Sequence, residues 1–290
     1  MFSWLRNRRR KRLLATPCPA GWNEILFRNV ASFHWLDAHE QRHLLDLVRI
    51  FVAEKRWEGC GGLAISEEVR VTIAAQACLL VMALPHEFYR NVHTILVYPS
   101  TVIAPSRPIG AFEIPTAPVE GPMPILGQAQ LRGPVVLVWD AVKRTSRHPK
   151  SGHNVVYHEF AHKLDMLDGR ADGTPPLHGR AEYARWVEVC SQEYEGLRNR
   201  AKRGKSGLLD AYGATNEAEF FAVATEHFFD QPVALRHRHP NLYDVLQAFY
   251  RQDPAARAVD HAESESHDPL EDPPSGAARH TNSRASARES

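Results

Sequence analysis

The stretch of this sequence best able to do chemistry is His158-Glu159-Phe160-Ala161-His162. It lies in a run, 154–167, whose apolar residues recur at helical spacing, so an α-helix is expected there. On a helix, positions i and i+4 share one face, about 5–6 Å apart at Cβ. Two imidazoles so placed can grip one Zn²⁺ at roughly 2.0–2.1 Å each, leaving room for a third ligand and a water. Glu159 follows the first histidine directly, which lets its carboxylate reach that water as a general base.

Two histidines do not complete a catalytic zinc site. A histidine six residues beyond the second would, but Asp168 stands there and Asp165 replaces the glycine that the longer pattern requires. A more distant glutamate is therefore expected, from among Glu182, Glu188, Glu193, Glu195, Glu217, Glu219 and Glu226. Glu219 is favoured. It opens a strongly apolar helix, where a carboxylate pointing inward is costly unless it pairs or binds a metal. Asn216 and Glu219 also fit a capping box, in which the glutamate bonds only backbone N–H. Glu226, seven residues on, and Asp165, three residues past His162, are candidates to accept a histidine N–H from behind. Two similar stretches are decoys. His86-Glu87 has Arg90 where a second histidine is needed, and the Asp168–Gly173 loop has Arg170 where a calcium loop needs an acid.

The rest of the chain must position this site. At 290 residues and 43% hydrophobic it can bury a sizeable core, and a net charge of +1 argues against a general polyanion binder. Cys18, Cys60, Cys78 and Cys190 form no C-x-x-C pair, which suits a reducing, cytoplasmic setting. The basic run Arg8–Arg12 lacks an apolar segment after it, so residues 1–19 are expected to be a flexible terminus rather than a signal peptide. An anionic membrane surface or nucleic acid is the alternative role for that run. No apolar stretch is long enough for a transmembrane helix.

Between 20 and 253 the pattern predicts one α+β domain, mostly helical, with a small mixed sheet ahead of the metal helix. Asp37 and Glu40 make a capping box for one helix, and Ser66 starts a second that should stop at Pro85. Strands are expected at 92–98 and 135–139, the latter either an edge that pairs with an extended peptide or a buried core strand. The proline- and glycine-rich 99–134 region reads as loops and short edge strands near the site. Further helices are expected at 180–199, with Tyr183, Trp186, Val187, Cys190, Tyr194 and Leu197 inward, at 216–229, and from Pro240. Residues 198–205 read as an exposed basic loop. Residues 254–290, poor in large apolar side chains, are expected to be disordered.

HEFAHKLD at 158–165, DAYGATN at 210–216 and EAEFFA at 217–222 together resemble the Mlc titration factor A family of zinc peptidases, over most of residues 20–253. The catalytic part of that family is similar to the gluzincin domain of anthrax lethal factor. The resemblance implies one zinc per chain, held by His158, His162 and Glu219, and a zincin-like metallopeptidase fold. It also implies that Tyr212, seven residues before the glutamate, donates to the oxyanion. Peptide or protein substrates follow, with an aminopeptidase-like preference. The family takes its name from sequestering the repressor Mlc, which derepresses the sugar phosphotransferase system, so a Mlc-like repressor is an implied partner and direct nucleic-acid binding is not. A non-catalytic sequestering protein with a structural zinc is the competing function. Glu159 argues against it, because a structural site has no use for a base.

Overall fold

Asp37 accepts hydrogen bonds from His39 N and Glu40 N, and the Glu40 carboxylate accepts from Asp37 N, so the capping box forms as the sequence predicts. It opens the third helix of a computed structural model that describes residues 2–84, 89–100, 102–103, 124–125, 127–129, 133–147 and 152–267. Helices α1 (Phe2–Leu14) and α2 (Trp22–Asn29) precede α3 (Ala38–Glu54). α4 (Glu67–Leu80), capped by Ser66, packs along α3 and is buried through most of its length. It ends at Leu80, short of the expected stop at Pro85. The decoy His86-Glu87 lies outside the described residues.

Three parallel strands, β1 (Arg56–Gly59), β2 (Thr94–Tyr98) and a later one at Val135–Val138, form the sheet. Between them in sequence lie β3 (Val102–Ile103), β4 (Pro124–Ile125) and β5 (Gly127–Ala129), which makes the Val135–Val138 strand β6. β3 and β4 pair with each other, while β5 runs antiparallel to β6 and ends the order β1-β2-β6-β5. β6 is therefore an inner strand, with Val135, Leu137 and Val138 buried, and among the described residues the edge beside it is β5. Most of the 99–134 region falls outside the described residues. Trp139 ends no strand; it starts α5 (Trp139–Arg147).

The second half supplies the site: α6 (Val155–Asp165), α7 (Arg180–Lys202), α8 (Glu217–Asp230), α9 (Pro232–Arg238) and α10 (Pro240–Tyr250), the last with Pro240 in its first turn as expected. α6 packs on α8, α4, β5 and β6. Phe160 meets Phe51 and Tyr89 at ring distances of 5.8 and 5.0 Å, and Tyr157 meets Phe229 at 5.4 Å. These aromatics lock the rotation of α6 about its axis. α7 departs from expectation: Trp186, Val189, Tyr194 and Leu197 are buried, whereas Tyr183 and Val187 face solvent. The helix also runs to Lys202, through residues read as a basic loop.

Both ends of the expected domain extend further than composition suggests. α11 (Pro254–His267) continues the fold past residue 253. Asp253 accepts from Ala256 N, Ala255 is fully buried with its N–H on the Tyr243 hydroxyl, and the Arg257 guanidinium grips Glu40 at 2.6 Å. A composition average misses this because one cap, one small buried residue and one ion pair suffice. Residues beyond 267 lie outside the described set. Deleting 254–290 is expected to destabilise the protein by on the order of 3 kcal/mol, the sum of a few lost hydrogen bonds. A melting temperature equal to that of the full chain would contradict this. At the other end, Arg10 bonds Glu54 through two nitrogens, so α1 is tied to α3 rather than loose.

Candidate metal centre

α6 begins where it does because Asn154 Oδ1 accepts from Val156 N at 3.1 Å and Tyr157 N at 3.2 Å. Val156, Phe160 and Leu164 turn to the core. His158 and His162 face α8, ring centroids 4.9 Å apart. Asn216 caps α8 by accepting from Glu219 N at 2.9 Å, but the Glu219 carboxylate does not close a capping box. It reaches across instead, with Oε2 3.0 Å from His158 Nε2 and 3.4 Å from His162 Nε2. The two Nε2 atoms are 3.3 Å apart.

These separations fit a zinc ion. A tetrahedral centre with bonds of roughly 2.0–2.1 Å holds its ligand atoms roughly 3.3–3.4 Å apart. Glu219 Oε2 is buried without hydrogen-bond geometry to any described partner, an orphan that a cation would satisfy. Burial opposes charge on both partners, yet the imidazoles hold Glu219 well below the usual carboxylate range, and Glu219 with Glu226 raises His158. The cluster demands positive charge, and a divalent cation with these donors supplies it.

Behind His158, Nδ1–H donates to Glu226 Oε1 at 2.7 Å, while Glu226 Oε2 accepts from Asn154 N at 2.5 Å. One carboxylate thus fixes both the helix start and the tautomer that aims Nε2 at the cluster. Replacing Glu226 with Ala strands two buried N–H groups, each costing about 1–3 kcal/mol. Glu226→Ala is expected to lower unfolding free energy by about 2–4 kcal/mol and to weaken zinc affinity about 10–100-fold. Urea melts with competitive zinc titration check both.

Asp165 does not take the part expected of it. Its Oδ2 accepts from Gly173 N at 3.0 Å, and among the described residues no hydrogen bond joins it to a histidine. Burial raises this carboxyl to about 6 despite that bond. It ties α6 to the loop before α7, where Gly173 has φ +74° and an added Cβ would stand 2.3 Å from Glu217 O. His162 Nδ1 has no partner among the described residues. Lys163, fully buried, was no candidate; it donates to Gly133 O at 2.9 Å, linking α6 to the start of β6. Its spacing four residues after Glu159 was the available signal.

Glu159 is buried, and its Oε2 has no hydrogen-bond partner among the described residues. Burial pushes its carboxyl up to about 8, with Glu219 and Glu226 adding to the rise and His158 and Lys163 opposing it. Tyr212 sits in a short turn, 211–214, whose cap Asp210 accepts from Tyr212 N at 2.7 Å. The ring lies 6.0 Å from that of His158, and the residue is 47% exposed. Burial, followed by the charges of Glu219 and Glu159, raises the phenol above its ordinary value and keeps it a donor.

The arrangement has relatives. Residues 4–251 match the family described as glucose-regulated metallo-peptidase M90. An uncharacterized protein of Synechocystis sp. is 35% identical over 246 residues, 85% of this chain and 89% of its own length. Proteins named Mlc titration factor A are 34% identical in Serratia proteamaculans, over 77% of this chain and 84% of theirs, and 32% identical in Yersinia pestis, over 88% and 90%. No helix among the described residues is long and apolar enough to cross a membrane. The family is one of metallo-peptidases, which implies a bound metal and peptide substrates, and a cluster of two histidines and a glutamate meets that requirement here. The chain belongs to the glucose-regulated metallo-peptidase M90 family.

Proposed function

We propose that this protein is a zinc peptidase of the gluzincin type, holding one zinc per chain through His158, His162 and Glu219. The observation that supports it best is the convergence of three donor atoms beside Glu159, whose Oε2 is buried and unpartnered among the described residues. Zinc bound there would supply Lewis acidity, polarising the scissile carbonyl and lowering the pKa of a water towards about 7. Glu159 takes the proton of the attacking water and delivers it to the leaving amine. Tyr212 donates its phenol hydrogen to the carbonyl oxygen as that atom becomes negative. The peptide-pairing role considered for 135–139 passes to β5, the edge strand packed beside α6. The aminopeptidase-like preference rests on the family resemblance.

Turnover of short chromogenic peptides by purified protein tests this. A zinc chelator should abolish it and added zinc restore it; cleavage that survives full chelation counts against the proposal. A second function, binding a Mlc-like repressor, is favoured by the names of the Serratia and Yersinia relatives. It needs no turnover, so Glu159→Gln should bind such a repressor as the parent does. A cytoplasmic location belongs to the same proposal and is consistent with four free thiols.

A further inference from the structure

We infer that α1 presents a cationic face, tipped by Trp4 and Leu5, that docks on an anionic lipid surface. The helix Phe2–Leu14 holds six cations, Arg6, Arg8, Arg9, Arg10, Lys11 and Arg12, and no acid. Its inner side is fixed to the body of the protein. Arg10 makes a two-pronged bond to Glu54 at 2.6 Å, and the buried Arg49 guanidinium donates to Leu13 O at 2.5 Å and Thr16 O at 2.6 Å. Arg49 thereby satisfies one C-terminal carbonyl of α1, that of Leu13, and a second just beyond the helix, and ties its end to α3.

At roughly 100° per residue, the side opposite Arg10 carries Trp4, Leu5, Arg8 and Arg12, flanked by Arg9 and Lys11. All six are exposed. Trp4 is 61% and Leu5 52% accessible, both well exposed for large apolar side chains. The Arg8 guanidinium stands 5.4 Å from the Trp4 ring centroid. With a net charge of only +1 for the whole chain, attraction to a polyanion must be local, and this helix concentrates it.

The two apolar residues choose between anionic partners. Nucleic-acid phosphates would reward the cations but gain little from an exposed leucine. A bilayer interface takes both: four or more Lys and Arg pair with anionic headgroups, tryptophan settles at headgroup level, and leucine enters the acyl boundary. Because α1 is anchored by Glu54 and Arg49, the face is already formed and binding orders nothing new. The inference does not depend on the metal centre or its chemistry.

Co-sedimentation of the full chain with vesicles tests it. Partition onto phosphatidylcholine mixed with phosphatidylglycerol should exceed that onto phosphatidylcholine alone by at least about tenfold, and should fall as salt rises. Arg8→Gln with Arg12→Gln should weaken it about 30-fold. Trp4→Ala with Leu5→Ala should weaken it about tenfold, most visibly at raised salt. Both pairs are solvent-facing, so melting curves matching the parent confirm that the fold is kept. Equal partition onto neutral vesicles, or partition unmoved by either pair, overturns the inference. So does retention by a mixed-sequence DNA or RNA duplex with none by vesicles, or a dimer that dissociates in the Trp4/Leu5 variant without any vesicle binding.

Discussion

Glu159→Gln is expected to reduce peptide hydrolysis about 10³-fold, the mid-range effect of removing a general base. The amide keeps the size and most of the hydrogen-bonding shape of the carboxylate but cannot take a proton. Glu159 contributes no atom to the donor cluster, so zinc should remain at one per chain. The variant should also be at least as stable as the parent. Glu159 Oε2 is buried without a hydrogen-bond partner among the described residues, and burial is the largest influence on its carboxyl, so a neutral amide there relieves desolvation. Loss of turnover with gain or retention of stability is the signature of a group placed for chemistry. Peptide kinetics, metal analysis and a melting curve on the one variant read all three. A variant that hydrolyses at the parental rate would remove Glu159 from the mechanism.

Glu219→Ala is expected to weaken zinc binding by more than about 100-fold, beyond the 10–100-fold typical of a partner one shell out. Activity should fall with zinc occupancy. The graded comparison is what gives the experiment its force. Glu226 hydrogen-bonds His158 Nδ1 and the Asn154 N of the α6 cap, whereas Glu219 Oε2 lies within 3.4 Å of both Nε2 atoms. Glu219→Ala should therefore cost more affinity than Glu226→Ala and less stability, since no capping N–H loses its partner. Asn216, not Glu219, accepts from the backbone at the start of α8. The reverse order would make Glu226 the third ligand.

What could be read from sequence follows from how local the physics is. His158, Glu159 and His162 were legible because helical geometry alone puts positions i and i+4 together. Glu219 was legible only as the better of two uses, ligand or capping box, since which way its side chain turns depends on α6 packing against α8. Asp165 was misjudged for the same reason. Its position on α6 is local, but its partner, Gly173 N, comes from a loop whose path no spacing reveals. The helix at 180–202 was found, yet two of its six expected inward residues, Tyr183 and Val187, face solvent. Rotational phase is set by what lies underneath, here Phe221 and Phe249 against Trp186. β6 has a strand's composition, but whether a strand is inner or edge depends on β5 pairing with it. α11 shows the limit of composition at its plainest, because specific contacts such as its cap, the buried Ala255 and the Arg257–Glu40 pair hold it with little bulk apolar area.

The most direct test of the central claim is a crystal soaked in or grown with zinc, with anomalous diffraction recorded on both sides of the zinc edge. The account predicts one strong peak per chain, roughly 2.0–2.2 Å from His158 Nε2, His162 Nε2 and Glu219 Oε2, with Glu159 facing the open coordination position. A peak bound by other residues, or one that excludes Glu219, would contradict it.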